Sequence, residues 1–184
     1  MNPKQTFYEH QANTIIANLK KRQMDGFYCP TCEDAVKKAM ELVASGDSVS
    51  FGGSMTLSES GIMDALNARE DITLYDRSKA STPEEIGTIY RKAFSCDTYF
   101  MSTNAITLDG QLVNTDGTGN RVAALIYGPE NVIIIAGMNK VAATLEEAES
   151  RVKNIASPPN AIRLDRKTPC ALTGSCHDCF AEGC

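Results

Sequence analysis

Apolar residues along the chain recur at two periods, and the alternation between them outlines a fold. Tyr8, Ala12, Ile15, Ile16 and Leu19 fall at helical spacing, which predicts an amphipathic opening helix broken by Asp25-Gly26-Phe27-Tyr28. Thr31, with Asp34 three positions on, starts a second helix whose face is Val36, Ala39, Met40 and Val43. Val49-Ser50-Phe51 reads as a strand ended by Gly52-Gly53-Ser54, and a helix is expected from Thr56, boxed by Glu59, to Asn67. Ile72 to Tyr75 is a further strand. Thr82-Pro83-Glu84-Glu85 is a strong helix start, with proline at the first position and a carboxylate three after the cap. Thr98 to Ser102 is a strand, and Asp109-Gly110 is the turn of a hairpin between Ile106–Leu108 and Gln111–Val113. Val132 to Ala136 has the branched, uniformly apolar look of a strand covered on both faces. Val141, Leu145, Ala148, Val152 and Ile155 trace a helix that Pro158-Pro159 should stop, leaving Ala161–Leu164 as a late strand. Strands alternating with helices predict an α/β fold, a largely parallel sheet flanked by helices.

The length of 184 residues suits one domain. The expected layout is a single domain over 1–184, with N-terminal helices over 1–46, an α/β core over 47–166 and a cysteine-rich C-terminal segment over 167–184. A formal net charge of -5, with Lys20-Lys21-Arg22 the one basic cluster, argues against a nucleic-acid partner. No run approaches the roughly 20 apolar residues that cross a bilayer, and the N-terminus lacks the apolar core of a signal peptide. A cytoplasmic location is therefore expected, where thiols stay reduced. The seven cysteines then call for an explanation other than a disulfide framework.

Two polar segments are candidates for ligand binding. In Phe51-Gly52-Gly53-Ser54-Met55-Thr56, placed between a strand and a helix, Gly52 and Gly53 let backbone approach a ligand, and Ser54 and Thr56 offer hydroxyl donors to an anion. It is neither a Walker loop nor a dinucleotide fingerprint, and a plain strand-to-helix turn capped by Thr56 is the alternative. The second segment joins Asn104 to Asn114-Thr115-Asp116-Gly117-Thr118-Gly119-Asn120-Arg121. Amides beside glycines suggest a loop built around a polar ligand, with Arg121 suited to bidentate pairing with carboxylate or phosphate. Asp116 is the general-base candidate there and Glu59 a second group able to move protons. The competing reading is that these amides satisfy their own turns.

Cysteine supplies two further patterns. Cys170, Cys176, Cys179 and Cys184, spaced x5, x2 and x4, are a candidate set for zinc or an iron–sulfur cluster, with His177 able to replace one thiol. Reduced thiols in a terminal tail are the alternative. Cys29-Pro30-Thr31-Cys32 imitates a redox motif at a helix start, where the dipole lowers a thiol pKa. The segment before it, however, is not the strand such a unit needs. His10 falls on the polar side of the first helix, so no Ser-His-Asp or Cys-His set is expected.

Beyond these patterns, the residues Phe51–Thr56, Ser102-Thr103-Asn104-Ala105-Ile106-Thr107 and Asn114–Ala124 resemble the small lactate-utilisation (LUD-domain) proteins of anaerobic bacteria. So do Tyr127-Gly128-Pro129, Gly137-Met138-Asn139-Lys140, Pro159-Asn160-Ala161, Thr168-Pro169-Cys170, Thr173-Gly174, Cys176 and Asp178-Cys179. The resemblance implies a NagB/RpiA/CoA-transferase-like fold, that of ribose-phosphate isomerase and glucosamine-phosphate deaminase, with ligands at the C-terminal ends of parallel strands. It also implies a part in oxidising lactate to pyruvate beside iron–sulfur protein partners. Family members usually continue past the last cysteine, and the spacer Phe180-Ala181-Glu182-Gly183 departs from theirs; both points bear on Cys184. The leading expectation is a protein of small organic-acid metabolism that holds a small anionic metabolite, carboxylate or phosphate, between the Gly52 and Asn114–Arg121 loops. The alternatives are an isomerase or acyl-transfer enzyme of the CoA-transferase-like group, which would rest on fold analogy, and a non-catalytic, metal-carrying electron-transfer or scaffold subunit, docked to a partner or to copies of itself as a homo-oligomer.

Overall fold

A computed structural model describes residues 2–179 and 181 of the chain. Contacts group the chain into two compact units: one of Met1–Phe27, Thr103–Thr118 and Gly137–Cys184, the other of Tyr28–Ser102 and Gly119–Ala136.

The second unit carries the parallel sheet. Strands β1 (Ser48–Phe51), β2 (Thr73–Tyr75), β3 (Thr98–Met101) and β6 (Asn131–Ile134) lie in the order β2-β1-β3-β6 and pair in parallel throughout. The period of two assigns the faces. Val49, Phe100 and Ile133 pack with Ala39 of α2 (Cys32–Glu41), Leu57 of α3 (Met55–Glu59), and Ile62 and Leu66 of α4 (Ile62–Asn67). Tyr99, Met101, Val132 and Ile134 pack on the other face against Ala93, which caps α5 (Pro83–Lys92), and Ala124 of α6 (Asn120–Ile126). Central β3 is buried at all four residues, as a strand covered on both sides must be.

Two helix starts form as the sequence requires. Thr31 and Asp34 make a reciprocal capping box on α2, and Thr82 and Glu85 make one on α5 with Pro83 in the first turn. The helix expected over 56–67 is instead two, because Gly61 adopts φ 83 and ends the first before α4 begins. That left-handed geometry suits glycine. Ser54 rather than Thr56 occupies the cap position of α3, without a side-chain capping bond.

The first unit opens with α1 (Pro3–Lys20), boxed by Asn2 and Gln5. Its sheet has the order β5-β4-β7: β4 (Ala105–Thr107) is antiparallel to β5 (Leu112–Val113) and parallel to β7 (Val141–Ala142). The expected hairpin is present, closed by the Thr107 N–H to the Gln111 carbonyl at 3.0 Å. Asn18 of α1 donates to the Leu108 carbonyl at 3.0 Å. Ala148 of α7 (Leu145–Arg151) packs on Ala105 and Ala142.

The C-terminal part of this unit differs from the expected elements at two places. Val141 belongs to β7, so the helix starts at Leu145. Beyond Arg151 the chain makes a wide π turn, Val152–Ala156, and continues as α8 (Ser157–Arg163), where a strand was expected. The Ser157 N–H reaches back to the Val152 carbonyl. Pro158 and Pro159 then fall in the first turn of α8, the part of a helix that accepts proline most readily. A last helix, α9 (Pro169–Thr173), ends at Gly174. Among the described residues no helix is long and apolar enough to cross a membrane.

Candidate functional site

Parallel strands end together, so the loops that follow β1, β2 and β3 project from one edge of their sheet. Gly52 extends the ladder beyond β1: its N–H donates to the Phe100 carbonyl at 2.9 Å, and the residue is buried. A Cβ built on Gly52 would stand 3.1 Å from Tyr99 Oη and 3.3 Å from Arg121 Cδ. The absence of a side chain at 52 is therefore what admits the phenol and the arginine stem to this point. Arg121 is anchored from the opposite end, its Nη1 donating to the Ser102 carbonyl at 2.9 Å. The residue sits on α6, whose cap Gly119 adopts φ 80 and turns the chain into the helix, with Asn120 as first residue. Gly52, Arg121, Tyr99 and the end of β3 are thus one constellation.

Gly53, unlike Gly52, is exposed. A Cβ there would meet Arg77 Nη2 at 2.1 Å, so a second guanidinium lies across the turn. Arg77 follows β2 in a single 3-10 turn, Arg77–Lys79, capped by Asp76. Nothing local in the sequence marked this residue. The order β2-β1 places it, and that order is a long-range property. Ser54 and Thr56 follow, both half-buried, and Glu59 ends α3 exposed.

Asn104, Asn114, Asp116 and Gly117 belong to the other unit. Asn104 and Asn114 clasp one another's backbone: Asn114 Oδ1 accepts the Asn104 N–H at 3.3 Å, and Asn104 Oδ1 accepts the Thr115 N–H at 3.0 Å. Arg151 of α7 braces the same stretch, donating to the carbonyls of Asn104 and Asn139. Burial lowers its pKa from the ordinary arginine value. The two amide oxygens thus serve the loop's own architecture, as Asn side chains do in turns. Asp116 is half-buried and Gly117 exposed, with open space where a side chain would be.

An open groove of about 420 Å³ runs beside α5, lined by Asp76, Lys79, Ser81, Glu84, Glu85 and Thr88 among others. Three carboxylates against one ammonium make it the wrong lining for an anion. The Gly52-Gly53 turn, flanked by the Arg121 stem and the Arg77 guanidinium, lies outside that groove.

Cys170 Sγ lies 3.2 Å from Thr168 Oγ1, and Cys176 Sγ accepts the Asp178 N–H at 3.4 Å. His177 Nε2 pairs with Thr173 Oγ1 at 2.8 Å, and Asp178 with Lys153 at 2.7 Å, which raises the lysine pKa. Among the described residues no three of His, Cys, Asp or Glu are gathered as a metal site. Cys184 lies outside the described residues, so the four-cysteine set rests on spacing. At the other motif, α2 starts at Cys32, leaving Cys29 upstream of the cap; burial, then Asp34, pushes the Cys29 thiol up rather than down.

A family model described as LUD domain matches residues 12–182, a span that crosses both units. No curated protein and no solved structure matches the chain.

Proposed function

Since the chain belongs to the LUD-domain family and is thereby a lactate-utilisation-related protein, we propose that it holds a small organic carboxylate at the Gly52–Ser54 turn. The carboxylate is received by the guanidinium of Arg121 and the polar groups of the turn. One observation carries this reading: the Arg121 stem packs 3.3 Å from the place a Gly52 Cβ would take, and its guanidinium ends on the Ser102 carbonyl, so the arginine crosses the glycine turn at the end of a parallel strand. Arginine is the side chain whose planar fork matches a carboxylate.

The test is a thermal-shift titration with lactate, pyruvate and inorganic phosphate. A ligand selective for the folded state at ten times its Kd stabilises by about 1.4 kcal/mol. For a chain of this size that is a rise of roughly 3–6 °C. Arg121→Gln should abolish the rise. Because its bond to the Ser102 carbonyl is lost as well, the comparison is the ligand-induced shift and not the starting Tm. No shift with any of the three anions at millimolar concentration removes the reading.

A further inference from the structure

Arg77 is held with more care than a surface arginine needs. Its Nη1 donates to Tyr90 Oη at 3.0 Å, and its Cζ lies 5.6 Å from the centre of the same ring on α5. The turn that carries it is fixed in its own right: the buried Asp76 carboxylate accepts from the Ser78 N–H at 2.8 Å and from the Ser78 hydroxyl at 2.7 Å. Among the described residues Arg77 has no ion pair, its hydrogen-bond partner being a neutral phenol. The other guanidinium nitrogen is thereby laid over Gly53, 2.1 Å from where a Cβ would stand. A guanidinium oriented by a tyrosine, lacking a carboxylate, and admitted to a backbone turn by the absence of one side chain is arranged to receive an anion from outside the chain.

Gly52 and Gly53 are consecutive, with Cα atoms about 3.8 Å apart, and each has its own arginine. Building on the carboxylate reading above, we propose that the ligand carries two anionic groups, the first held by Arg121 and the second read by Arg77. The substrate class is a hydroxy or keto acid with a second carboxylate or a phosphoryl group, in preference to a simple monocarboxylate. Tyr90 is then a positioning residue, acting only through Arg77.

Two matched pairs test this at constant ionic strength by calorimetric titration: L-lactate against L-malate, and glycerate against 3-phosphoglycerate. The second anionic group is expected to tighten binding by about tenfold or more, the scale of a charge-assisted pair. Preference within the first pair alone identifies a dicarboxylate, and preference within the second alone a phosphoryl ligand; either supports the proposal. Arg77→Gln should bring the ratio close to one. Gly53→Ala should do the same by displacing the guanidinium, and as an exposed site on a tolerant backbone it guards against a folding artefact. Equal affinity within both pairs, or a preference that survives both substitutions, overturns the proposal while leaving the carboxylate site standing. If no anion binds, the parent reading falls and this one with it.

Discussion

Replacing Gly52 by alanine separates a packed glycine from a merely convenient one. The new methyl would stand 3.1 Å from Tyr99 Oη and 3.3 Å from Arg121 Cδ, both closer than ordinary van der Waals contact. Tyr99 cannot retreat easily, being 1% exposed on central β3. Arg121 is tethered by its bond to the Ser102 carbonyl. Overpacking of this kind costs about 1–3 kcal/mol. Alanine returns about 0.4–1 kcal/mol by restricting the unfolded chain, since Gly52 is not in the left-handed region. With mid-range values the net is a loss of about 1.3 kcal/mol, or a fall in Tm of roughly 3–5 °C at this chain length. Gly53→Ala is the internal control. Its methyl meets the far end of a side chain, Arg77 Nη2, which can swing away at the loss of its bond to Tyr90 Oη; that costs about 0.5–1.5 kcal/mol, the alanine gain of about 0.4–1 kcal/mol nearly offsets it, and Tm should stay close to level. The assay is thermal unfolding followed by circular dichroism, with both variants and the parent in one buffer. A Gly53→Ala loss equal to that of Gly52→Ala, or a Gly52→Ala protein as stable as the parent, would refute the claim that residue 52 is glycine for the sake of Tyr99 and Arg121.

Two further expectations follow from the charged and thiol groups. The Asp97 carboxylate accepts the Ser48 N–H and hydroxyl, both at 2.7 Å, and these bonds hold its pKa below the usual carboxylate value. The unfolded chain then binds the proton first as pH falls, so the contribution is full above about pH 4 and fades as pH drops through the folded value; Asp97→Asn should lower the urea midpoint at pH 7, by an amount that shrinks towards pH 3, and a deficit independent of pH would count against it. Burial pushes the Cys96 thiol up to about 11, whereas Cys32 is exposed; iodoacetamide at pH 8 should label Cys32 in the native protein and Cys96 only after unfolding, as read by peptide mass spectrometry, and prompt native labelling of Cys96 would contradict its burial.

What the sequence disclosed and what it concealed divide along the range of the interactions concerned. Thr31 with Asp34 and Thr82 with Glu85 are pairs three residues apart, and both boxes form as read. The branched run at 132–136 announces a strand, and β6 pairs with central β3, although at the sheet edge its apolar residues are half-buried and not covered on both faces as expected. The C-terminal helices escape apolar spacing because the deciding event is a change of hydrogen-bond register. Once the π turn carries the Ser157 N–H back to the Val152 carbonyl, two prolines cease to be a stop. Apolar spacing holds no record of that shift.

The site divides the same way. Gly52, Gly53 and Arg121 stood out through glycine content and fork chemistry, and the fold brings all three to one strand end. The amide-rich loop was a mixed signal, since a side chain able to greet a ligand can equally tie a turn, and Asn104 and Asn114 give their oxygens to each other's neighbourhood. Arg77 was silent because its partners are distant in sequence: Gly53 is 24 positions before it and Tyr90 is 13 after. Charge alone could not distinguish it from Arg69, which is spent on Asp71 at 2.5 Å. The difference between the two arginines lies in what surrounds them. One faces a carboxylate two residues away; the other faces a phenol and a bare glycine, and only the second arrangement leaves the positive charge to be answered by a ligand.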